Sequence, residues 1–214
     1  MKCPLCSAGA RIRFVETRDA RQYWLCENCA LVWLEEAQRP SRAAEEARYR
    51  THENFGTEYL TYLGRTALPL AELLRPGAKG LDYGCGPTKG MEKVLSPLGF
   101  SVDSYDPIFF PKISLPENHY DFLLCSEAAE HFFHPGTEFA RMSSLVKNGG
   151  FFAISSWLAV EKEQFDGWAY RRDPTHVVFY QEETIGWIAE NFGWEILKLE
   201  NPVWILKKSR KLNL

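Results

Sequence analysis

The segment Leu81–Gly86 has the sequence LDYGCG, and it is followed by Val102–Pro107, a strand-like segment that ends at Asp106. This order predicts a strand, a turn with two glycines and a helix, because glycines let backbone N–H groups approach a ligand closely. An acidic residue after the second strand can accept hydrogen bonds from both hydroxyl groups of a ribose. Lys89 stands where the usual dinucleotide fingerprint has its third glycine, so this motif alone does not identify the ligand. A ligand with an adenosine and a charged tail suits the arrangement.

Strand and helix patterns alternate from Gly80 to the C-terminus. The patterns predict strands near Leu81 and at 100–105, 113–115, 120–126 and 150–156, helices at 89–95, 137–146 and 182–192, and a closing strand pair at 194–199 and 203–207. Alternation of this kind is typical of an α/β sheet with helices on both faces. Before Gly80, leucines at helical spacing predict a helical stretch that ends before Pro76. Pro69 is expected to divide that stretch into two helices.

The composition is that of a globular protein. The chain has 214 residues, of which 45% are hydrophobic and 25% charged. A formal net charge of −3 argues against a protein built around binding a phosphate backbone. No apolar run reaches the roughly 18 residues that a membrane span needs, and Met1–Pro4 lacks the apolar stretch of a secretory signal. We therefore expect a cytoplasmic protein with no membrane partner.

Four cysteines near the N-terminus form two Cys-x-x-Cys pairs, Cys3 with Cys6 and Cys26 with Cys29. Their spacing is that of structural zinc sites, in which four thiolates saturate a tetrahedral ion and leave no position for substrate. A redox pair and unrelated thiols are the alternatives. In a reducing compartment the zinc interpretation is favoured over disulfides.

The region from Gly80 onwards resembles the class I S-adenosylmethionine-dependent methyltransferases. The resemblance covers about two thirds of the chain and is carried by five segments in the family's order: 81–86, 104–107, 120–132, 145–150 and 173–180. The Glu-x-x-Glu-His pattern within 127–131 and the Lys-x-Gly-Gly turn at 147–150 are familiar in small-molecule methyltransferases, including the ubiquinone-biosynthesis type. The resemblance implies a Rossmann-like, mostly parallel sheet with an antiparallel strand near the C-terminus. With it, the chain divides into a zinc ribbon (1–38), a helical linker or cap (39–76) and a methyltransferase domain (77–214).

The resemblance also implies roles for individual residues. Asp82 would accept a hydrogen bond from the methionyl ammonium, directly or through water, and Asp106 would bind the ribose hydroxyls. Asp82 or Asp106 alone could equally cap a helix or a turn. Ile108, Phe109 and Phe110 could stack on or shield the adenine. The cofactor-binding residues predicted in this way are Asp82, Gly84, Cys85, Gly86, Asp106, Pro107, Ser126 and Glu127.

Two histidines are candidates for acid–base chemistry. His131 follows Glu130 at the edge of the expected crevice, and His176 lies between the fifth strand and the last long helix. An imidazole of near-neutral pKa could take a proton from the methyl acceptor, although either residue could be structural. The aromatic segment before Arg171 and Arg172 could close over a substrate or simply pack on the core.

Three functions follow from these observations. The first is a small-molecule methyltransferase with a structural zinc ribbon, using S-adenosylmethionine and Zn²⁺. The second is an RNA methyltransferase whose ribbon contacts RNA, and the third is a cofactor-binding or interaction module without catalysis. The cations available to RNA are the ribbon arginines Arg11, Arg13, Arg18 and Arg21 and the tail residues Lys207, Lys208, Arg210 and Lys211. Acidic residues of the ribbon largely offset its arginines.

Overall fold

The computed structural model describes residues 2–51, 56–111 and 114–209. Its strands are β1 (Arg11–Glu16), β2 (Gln22–Cys26), β3 (Val32–Leu34), β4 (Lys79–Tyr83), β5 (Ser101–Tyr105), β6 (Tyr120–Ser126), β7 (Val146–Ser155), β8 (Val178–Phe179), β9 (Trp194–Glu200) and β10 (Val203–Lys208). Its helices are α1 (Arg42–Tyr49), α2 (Gly56–Ala71), α3 (Gly90–Leu95), α4 (Pro135–Leu145), α5 (Lys162–Phe165) and α6 (Glu182–Phe192). Within these ranges, no helix has the length and apolar character needed to cross a bilayer.

The large sheet has the strand order β5-β4-β6-β7-β10-β9. Strands β5, β4, β6 and β7 are parallel, whereas β10 runs antiparallel to both β7 and β9. The carboxyl ends of β4, β5 and β6 therefore lie at one edge of the sheet, where open α/β sheets hold their ligands. The predicted α/β fold with an antiparallel C-terminal end is confirmed.

Alternating side chains of β6 bury both faces of this sheet. Phe122 and Leu124 belong to an apolar cluster with residues of α2 and α3, whereas Leu123 and Cys125 belong to a second cluster with residues of α4 and α6. A strand covered on both faces is apolar along its length rather than alternating, which is the pattern of 120–126. Gly80 of β4 packs so closely on the Phe122 ring that an added Cβ would lie 2.1 Å from it.

The ribbon is joined to the large domain by a second sheet, with the order β1-β2-β3-β8. The N–H of Leu34 donates to the carbonyl of Val177 at 2.8 Å, just before β8 begins. Phe165 is fully buried against ring faces and edges on both sides of this junction. The ribbon strands thus support the segment that carries His176, although the division at residue 38 remains a prediction.

Three predictions of local structure were wrong. Pro69 does not divide the helix: α2 continues through it, because Pro69 lies two residues from the helix end and buried Leu63, Ala67 and Leu70 hold one face on the sheet. Ser114 and Leu115 are not in a strand, and Ile113 lies outside the described residues. Strand β7 begins at Val146, before the Gly149–Gly150 pair, and not at residue 150 as predicted. Strand β3 was not predicted from the sequence.

Candidate functional site

A cavity of about 550 Å³ opens at the carboxyl edge of the large sheet. Its walls come from the turn after β4, the segment after β5, the segment after β6 and the loop that carries His176, with α1 and α2 on the outer side. The lining residues used below are Arg42, Glu45, Tyr49, Tyr59, Tyr62, Gly84, Cys85, Gly86, Asp106, Pro107, Ile108, Phe109, Ser126, Glu127, Glu130, His131 and His176. Seven of the eight predicted cofactor-binding residues and both predicted histidines therefore share one cavity.

The turn after β4 is held in a backbone conformation that favours glycine. Gly84 has a φ of 85° and Gly86 a φ of 60°. A Cβ on Gly84 would lie 2.6 Å from the Cβ of Ala128, whereas a Cβ on Gly86 would meet no atom within 4 Å. The N–H of Gly84 donates to the carbonyl of Tyr105 at 2.8 Å, which ties the turn to the end of β5. The two glycines thus serve different needs: close packing at Gly84 and an open backbone at Gly86.

Asp106 organises the mouth of the cavity from the end of β5. Its Oδ2 accepts from the N–H of Gly86 at 3.1 Å, and its Oδ1 accepts from the N–H groups of Ile108 at 2.8 Å and Phe109 at 3.0 Å. A carboxylate has about four lone-pair sites, so one site on Oδ2 remains for a ligand. Asp106 can therefore take one further donor without losing the turn that it holds.

Asp82 is the one predicted cofactor residue that does not line the cavity. It is 3% exposed and lies beneath the turn, where the backbone N–H of Met91 at the start of α3 stabilises its charged form. Burial, and then the charge of Asp106, raises the pKa of Asp82 to about 8. A direct contact with a ligand in the cavity is thus not available to Asp82 in this arrangement.

Glu127 stands at the carboxyl end of β6 in a left-handed backbone conformation, with a φ of 48°. Non-glycine residues in this region are strained, and such strain clusters at functional sites. The hydroxyl of Ser155 donates to Glu127 at 2.8 Å and that of Tyr170 at 3.3 Å, while burial raises the pKa of Glu127. The neighbouring Ser126 hydroxyl is buried without a hydrogen-bond partner in the described part of the chain. It is a polar atom available to a ligand.

Glu130, His131 and His176 form a cluster in the cavity wall. Glu130 is fully buried, and the hydroxyl groups of Tyr170 and Ser156 lie close to its carboxyl group without a hydrogen bond of good geometry to either oxygen. The Nε2 atoms of both histidines lie 3.9 Å from Glu130 Oε1, beyond hydrogen-bonding distance. Burial and the nearby Glu127 raise the pKa of Glu130 to about 8, and the hydroxyl groups close to it oppose the rise.

The Asp173-Pro174-Thr175-His176 segment carries one of the two histidines and orients the other. Asp173 accepts from the N–H of Thr175 at 2.9 Å and from its hydroxyl at 2.6 Å, and Arg48 of α1 donates to Asp173 at 2.8 Å. The carbonyl of Thr175 then lies 2.9 Å from His131 Nδ1. The same tight turn therefore carries His176 and fixes His131.

From the sequence, linker residues 49–54 could fold over the cofactor pocket; Tyr49 does line the cavity, 52–54 lie outside the described residues, and the wall from α2 was not predicted. Tyr49, Tyr59 and Tyr62 line the cavity, and the ring of Tyr49 contacts that of His131 edge-on, with 5.2 Å between their centroids. Burial raises the pKa of all three phenols, so they stay neutral. The tyrosines that recur through the helical linker are the sequence feature that could have indicated this wall. Of the proposed adenine neighbours, Ile108 and Phe109 line the cavity, but Phe110 lies outside it beneath Lys89.

The four ribbon cysteines converge in space. The Sγ atoms of Cys3 and Cys29 are 3.6 Å apart, those of Cys6 and Cys26 are 3.5 Å apart, and all four lie within 4.8 Å of one another. A tetrahedral zinc ion with ~2.3 Å bonds separates its sulfurs by about 3.8 Å, and a disulfide by only about 2 Å. The geometry fits a zinc ion and excludes disulfides.

The ribbon arginines face local partners. Arg13 is 3.3 Å from Glu16, Arg18 is 3.1 Å from Asp166 and Arg21 is 3.5 Å from Asp19, while Arg11 lies over the Trp24 ring. In the basic tail, Lys208 donates to the carbonyls of Ser143 and Val146 and Lys207 lies over Phe151, whereas Arg210 and Lys211 lie outside the described residues.

The aromatic segment before β8 packs on the core rather than over the cavity. Arg171 is 4% exposed and donates twice to Asp19, so it is not available to an acidic substrate. Phe165 and Trp168 pack against Phe179. Tyr170 alone of this segment reaches the site, through its contacts with Glu127 and the His176 ring.

Comparisons with known proteins agree with this architecture. A family model described as a methyltransferase domain matches residues 51–199. No curated protein matches the chain. Among solved structures, the Burkholderia thailandensis 1,6-didemethyltoxoflavin-N1-methyltransferase, with bound 1,6-didemethyltoxoflavin and S-adenosylhomocysteine, is 14% identical with a TM-score of 0.55. The match covers 88% of this chain and 96% of that one.

A second similar structure is a chain of the Haloferax volcanii complex between the Trm112 methyltransferase activator and a methyltransferase. It is 11% identical with a TM-score of 0.52, and the match covers 80% of this chain and 97% of that one. At these identities the structures establish a shared fold.

Proposed function

This chain belongs to the methyltransferase-domain family, and we propose that it is an S-adenosylmethionine-dependent methyltransferase whose acceptor is a small molecule. The charge of the cavity is the observation that carries the second part. The described lining residues hold four carboxyl groups, on Glu45, Asp106, Glu127 and Glu130, against the single guanidinium of Arg42. With its pKa raised to about 8, Glu130 is largely protonated at neutral pH, and the other three carboxyl groups still outnumber the guanidinium. Such a lining attracts the sulfonium and ammonium groups of the cofactor and disfavours a phosphate backbone.

RNA as the acceptor has less support. RNA binding requires lysines and arginines that neutralise phosphates, and each such contact makes binding salt-sensitive. The ribbon arginines instead lie against carboxylates or an indole ring of the same chain. The bound ligands of the Burkholderia methyltransferase are small molecules, which is consistent with the proposal.

The cofactor supplies both the methyl group and its leaving group, so the protein has to align the reactants and exclude water. We assign the backbone of Gly84–Gly86, with Cys85, Pro107, Ser126 and Glu127, to the wall along the cofactor. Asp106 would accept from one ribose hydroxyl through the free site on Oδ2. Asp82 would act through water or by supporting the turn, since it lies beneath the cavity wall.

The other end of the cavity is assigned to the acceptor. We place His131 and His176 there, and the hydrogen bonds to their side chains fix their orientation. Tyr49 and Tyr62 cover this end from α1 and α2. We therefore keep both histidines as residues that act on the acceptor rather than on the cofactor.

We also propose that Cys3, Cys6, Cys26 and Cys29 bind a zinc ion. Four thiolates complete its coordination, so its role is to hold the ribbon together. Because β3 pairs with β8, the ribbon also supports the loop with Tyr170 and His176. A non-catalytic module would not need this support for residues at the acceptor end.

Two measurements test the proposed function. Calorimetric titration with S-adenosylhomocysteine should give one site per chain. Incubation with methyl-labelled cofactor, a metabolite extract and total RNA should transfer label to low-molecular-weight material. Label recovered in RNA would favour the RNA methyltransferase, and binding without any transfer would favour the non-catalytic module.

A further inference from the structure

We propose that the ribbon positions Tyr170 and His176, and that Arg171, held by Asp19 of the ribbon, is the residue through which it does so. Neither Arg171 nor Asp19 is among the described residues that line the cavity, so both act through other side chains. The positioning stands on the contacts of these residues alone. Its use in methyl transfer rests on the proposed function.

The segment 166–179 is attached to the ribbon at both of its ends. At the first end, the N–H of Arg18 donates to the side chain of Asp166 at 3.1 Å. At the other end, β8 pairs with β3 of the ribbon. Tyr170 and His176 lie between the two attachments. Because both ends are fixed, the residues between them have few alternative conformations.

Arg171 is the strongest contact at the first end. Its side chain is 5% exposed, and Nη1 donates to the two carboxyl oxygens of Asp19 at 3.1 and 3.0 Å. Its Nη2 donates to the backbone carbonyl of Asp166 at 2.9 Å. A planar guanidinium holds several acceptors in one geometry, and a buried cation without a partner is costly. The backbone next to Tyr170 is therefore tied to the turn between β1 and β2.

Asp19 is itself held in the conformation that receives Arg171. The hydroxyl of Thr17 donates to Asp19 and to the carbonyl of Arg21, the latter at 3.1 Å. The N–H of Thr17 closes the same turn with the carbonyl of Arg21 at 3.0 Å. Burial alone would raise the pKa of Asp19, but the Thr17 hydroxyl and the Arg171 guanidinium hold it below its usual value. Asp19 is thus a charged and oriented partner at neutral pH.

Tyr170 transmits this attachment to the cavity wall. Its hydroxyl donates to Glu127 at 3.3 Å, and its carbonyl lies 2.7 Å from His176 Nδ1. The Tyr170 and His176 rings are in contact, with 4.2 Å between their centroids. A carbonyl only accepts, so the proton of a neutral His176 is on Nδ1 and the lone pair on Nε2. The position of one backbone carbonyl therefore decides which tautomer His176 presents.

The tautomer matters if His176 acts on the methyl acceptor. Only a nitrogen with a lone pair can accept a proton, so the opposite tautomer would present an N–H group instead. Displacement of a positioned group by about 1 Å can cost roughly 100-fold in rate. A ribbon that fixes Tyr170 would in this way support the reaction from outside the cavity.

The tautomer of His176 tests the positioning. Nitrogen-15 shifts of the imidazole in full-length protein report which ring nitrogen carries the proton, measured well above the ordinary imidazole pKa of about 6.5. The signals of His176 are those lost in His176→Gln. The wild type should carry the proton on Nδ1, whereas Asp19→Asn and Arg171→Lys should each give averaged signals of both tautomers.

Two further variants separate positioning from a general loss of stability. Asp19→Glu restores the carboxylate and should recover most of the wild-type signal. Glu16→Gln is the matched control, because it makes the same change in an exposed ion pair of the ribbon, where the side chains of Arg13 and Glu16 are 63% and 56% exposed. It should keep the wild-type tautomer. Cooperative thermal unfolding identifies the folded variants, and Arg171→Lys answers the question if Asp19→Asn does not fold.

Calorimetry with S-adenosylhomocysteine and label transfer from the methyl-labelled cofactor to a metabolite extract separate the outcomes. Asp19→Asn and Arg171→Lys should bind S-adenosylhomocysteine within about threefold of wild type and transfer label at least about tenfold more slowly. A wild-type tautomer in either folded variant overturns the positioning and leaves the proposed function standing. A changed tautomer with the wild-type transfer rate overturns its use in the reaction. A wild type that transfers no label contradicts the proposed function, and the tautomer still decides the positioning.

Discussion

Asp106→Asn perturbs the residue that joins the glycine turn to the end of β5 and that we assign to the ribose of the cofactor. The substitution keeps one acceptor oxygen and puts an amide donor where Asp106 now accepts from backbone N–H groups. Losing the charge weakens the bonds that remain, and one buried N–H is left facing another donor. These losses amount to about 2–4 kcal/mol.

Part of this loss is offset because the charge of Asp106 also raises the pKa of Asp82. We expect a net loss of about 1–3 kcal/mol in the free energy of unfolding, which lowers Tm by roughly 2–12 °C in a chain of this size. One charge-assisted hydrogen bond to the ribose is worth about 1.5–3 kcal/mol. The affinity for S-adenosylhomocysteine should therefore fall about 10- to 100-fold.

The assays are thermal unfolding and calorimetric titration of S-adenosylhomocysteine. Asp103→Asn is the matched control, because it makes the same change on the same strand outside the cavity, where Asp103 contacts Lys79 at 2.9 Å and is 33% exposed. That variant should lose no more than about 1 kcal/mol and bind the ligand normally. Equal ligand affinity in Asp106→Asn and wild type would refute the assignment of Asp106 to the ribose.

Three other perturbations test separate parts of the structure. Gly84→Ala places a methyl group 2.6 Å from Ala128 at a φ of 85°, so it should destabilise by about 2–5 kcal/mol in denaturant titrations, against about 1–2 kcal/mol for Gly86→Ala; equal losses would contradict the packing argument. The pKa of Asp82 is raised from 3.8 to about 8, so the folded chain holds a proton that the unfolded chain has lost, and stability falls as the pH rises between these values. From pH 5.5 to 7.5, Asp82→Asn should therefore gain stability relative to wild type by up to about 1.4 kcal/mol per pH unit, and no relative gain would show that Asp82 is ionised when folded. Cys29→Ser should reduce bound zinc below one equivalent per chain by elemental analysis and lower Tm, whereas a wild type purified without zinc would contradict the zinc ribbon.

The sequence predicted the large sheet well because its strands and turns are specified locally. Residues 120–126 and 182–192 have the bounds of β6 and α6, and Gly193 ends α6 in a left-handed conformation with a φ of 73°. The prediction that Pro69 divides the helix was wrong because packing of α2 on the sheet stabilises the helix by more than the one backbone hydrogen bond lost near its end.

The site was predicted in part. The residues of the glycine turn and of the segments after β5 and β6 line one cavity because they follow the carboxyl ends of neighbouring strands. The covering tyrosines of α2, the position of Asp82 beneath the wall and the convergence of Glu130 with two histidines depend on long-range packing. Thr175 illustrates the limit, since its backbone carbonyl orients His131 from 44 positions away.

A crystal structure with bound S-adenosylhomocysteine tests the central claim most directly. The account predicts a ribose hydroxyl within hydrogen-bonding distance of Asp106 Oδ2 and the ligand's sulfur between the Gly84–Gly86 turn and the cluster of Glu130, His131 and His176. A ligand bound elsewhere, or a ribose held by other residues with Asp106 engaged only by its own backbone donors, would contradict it.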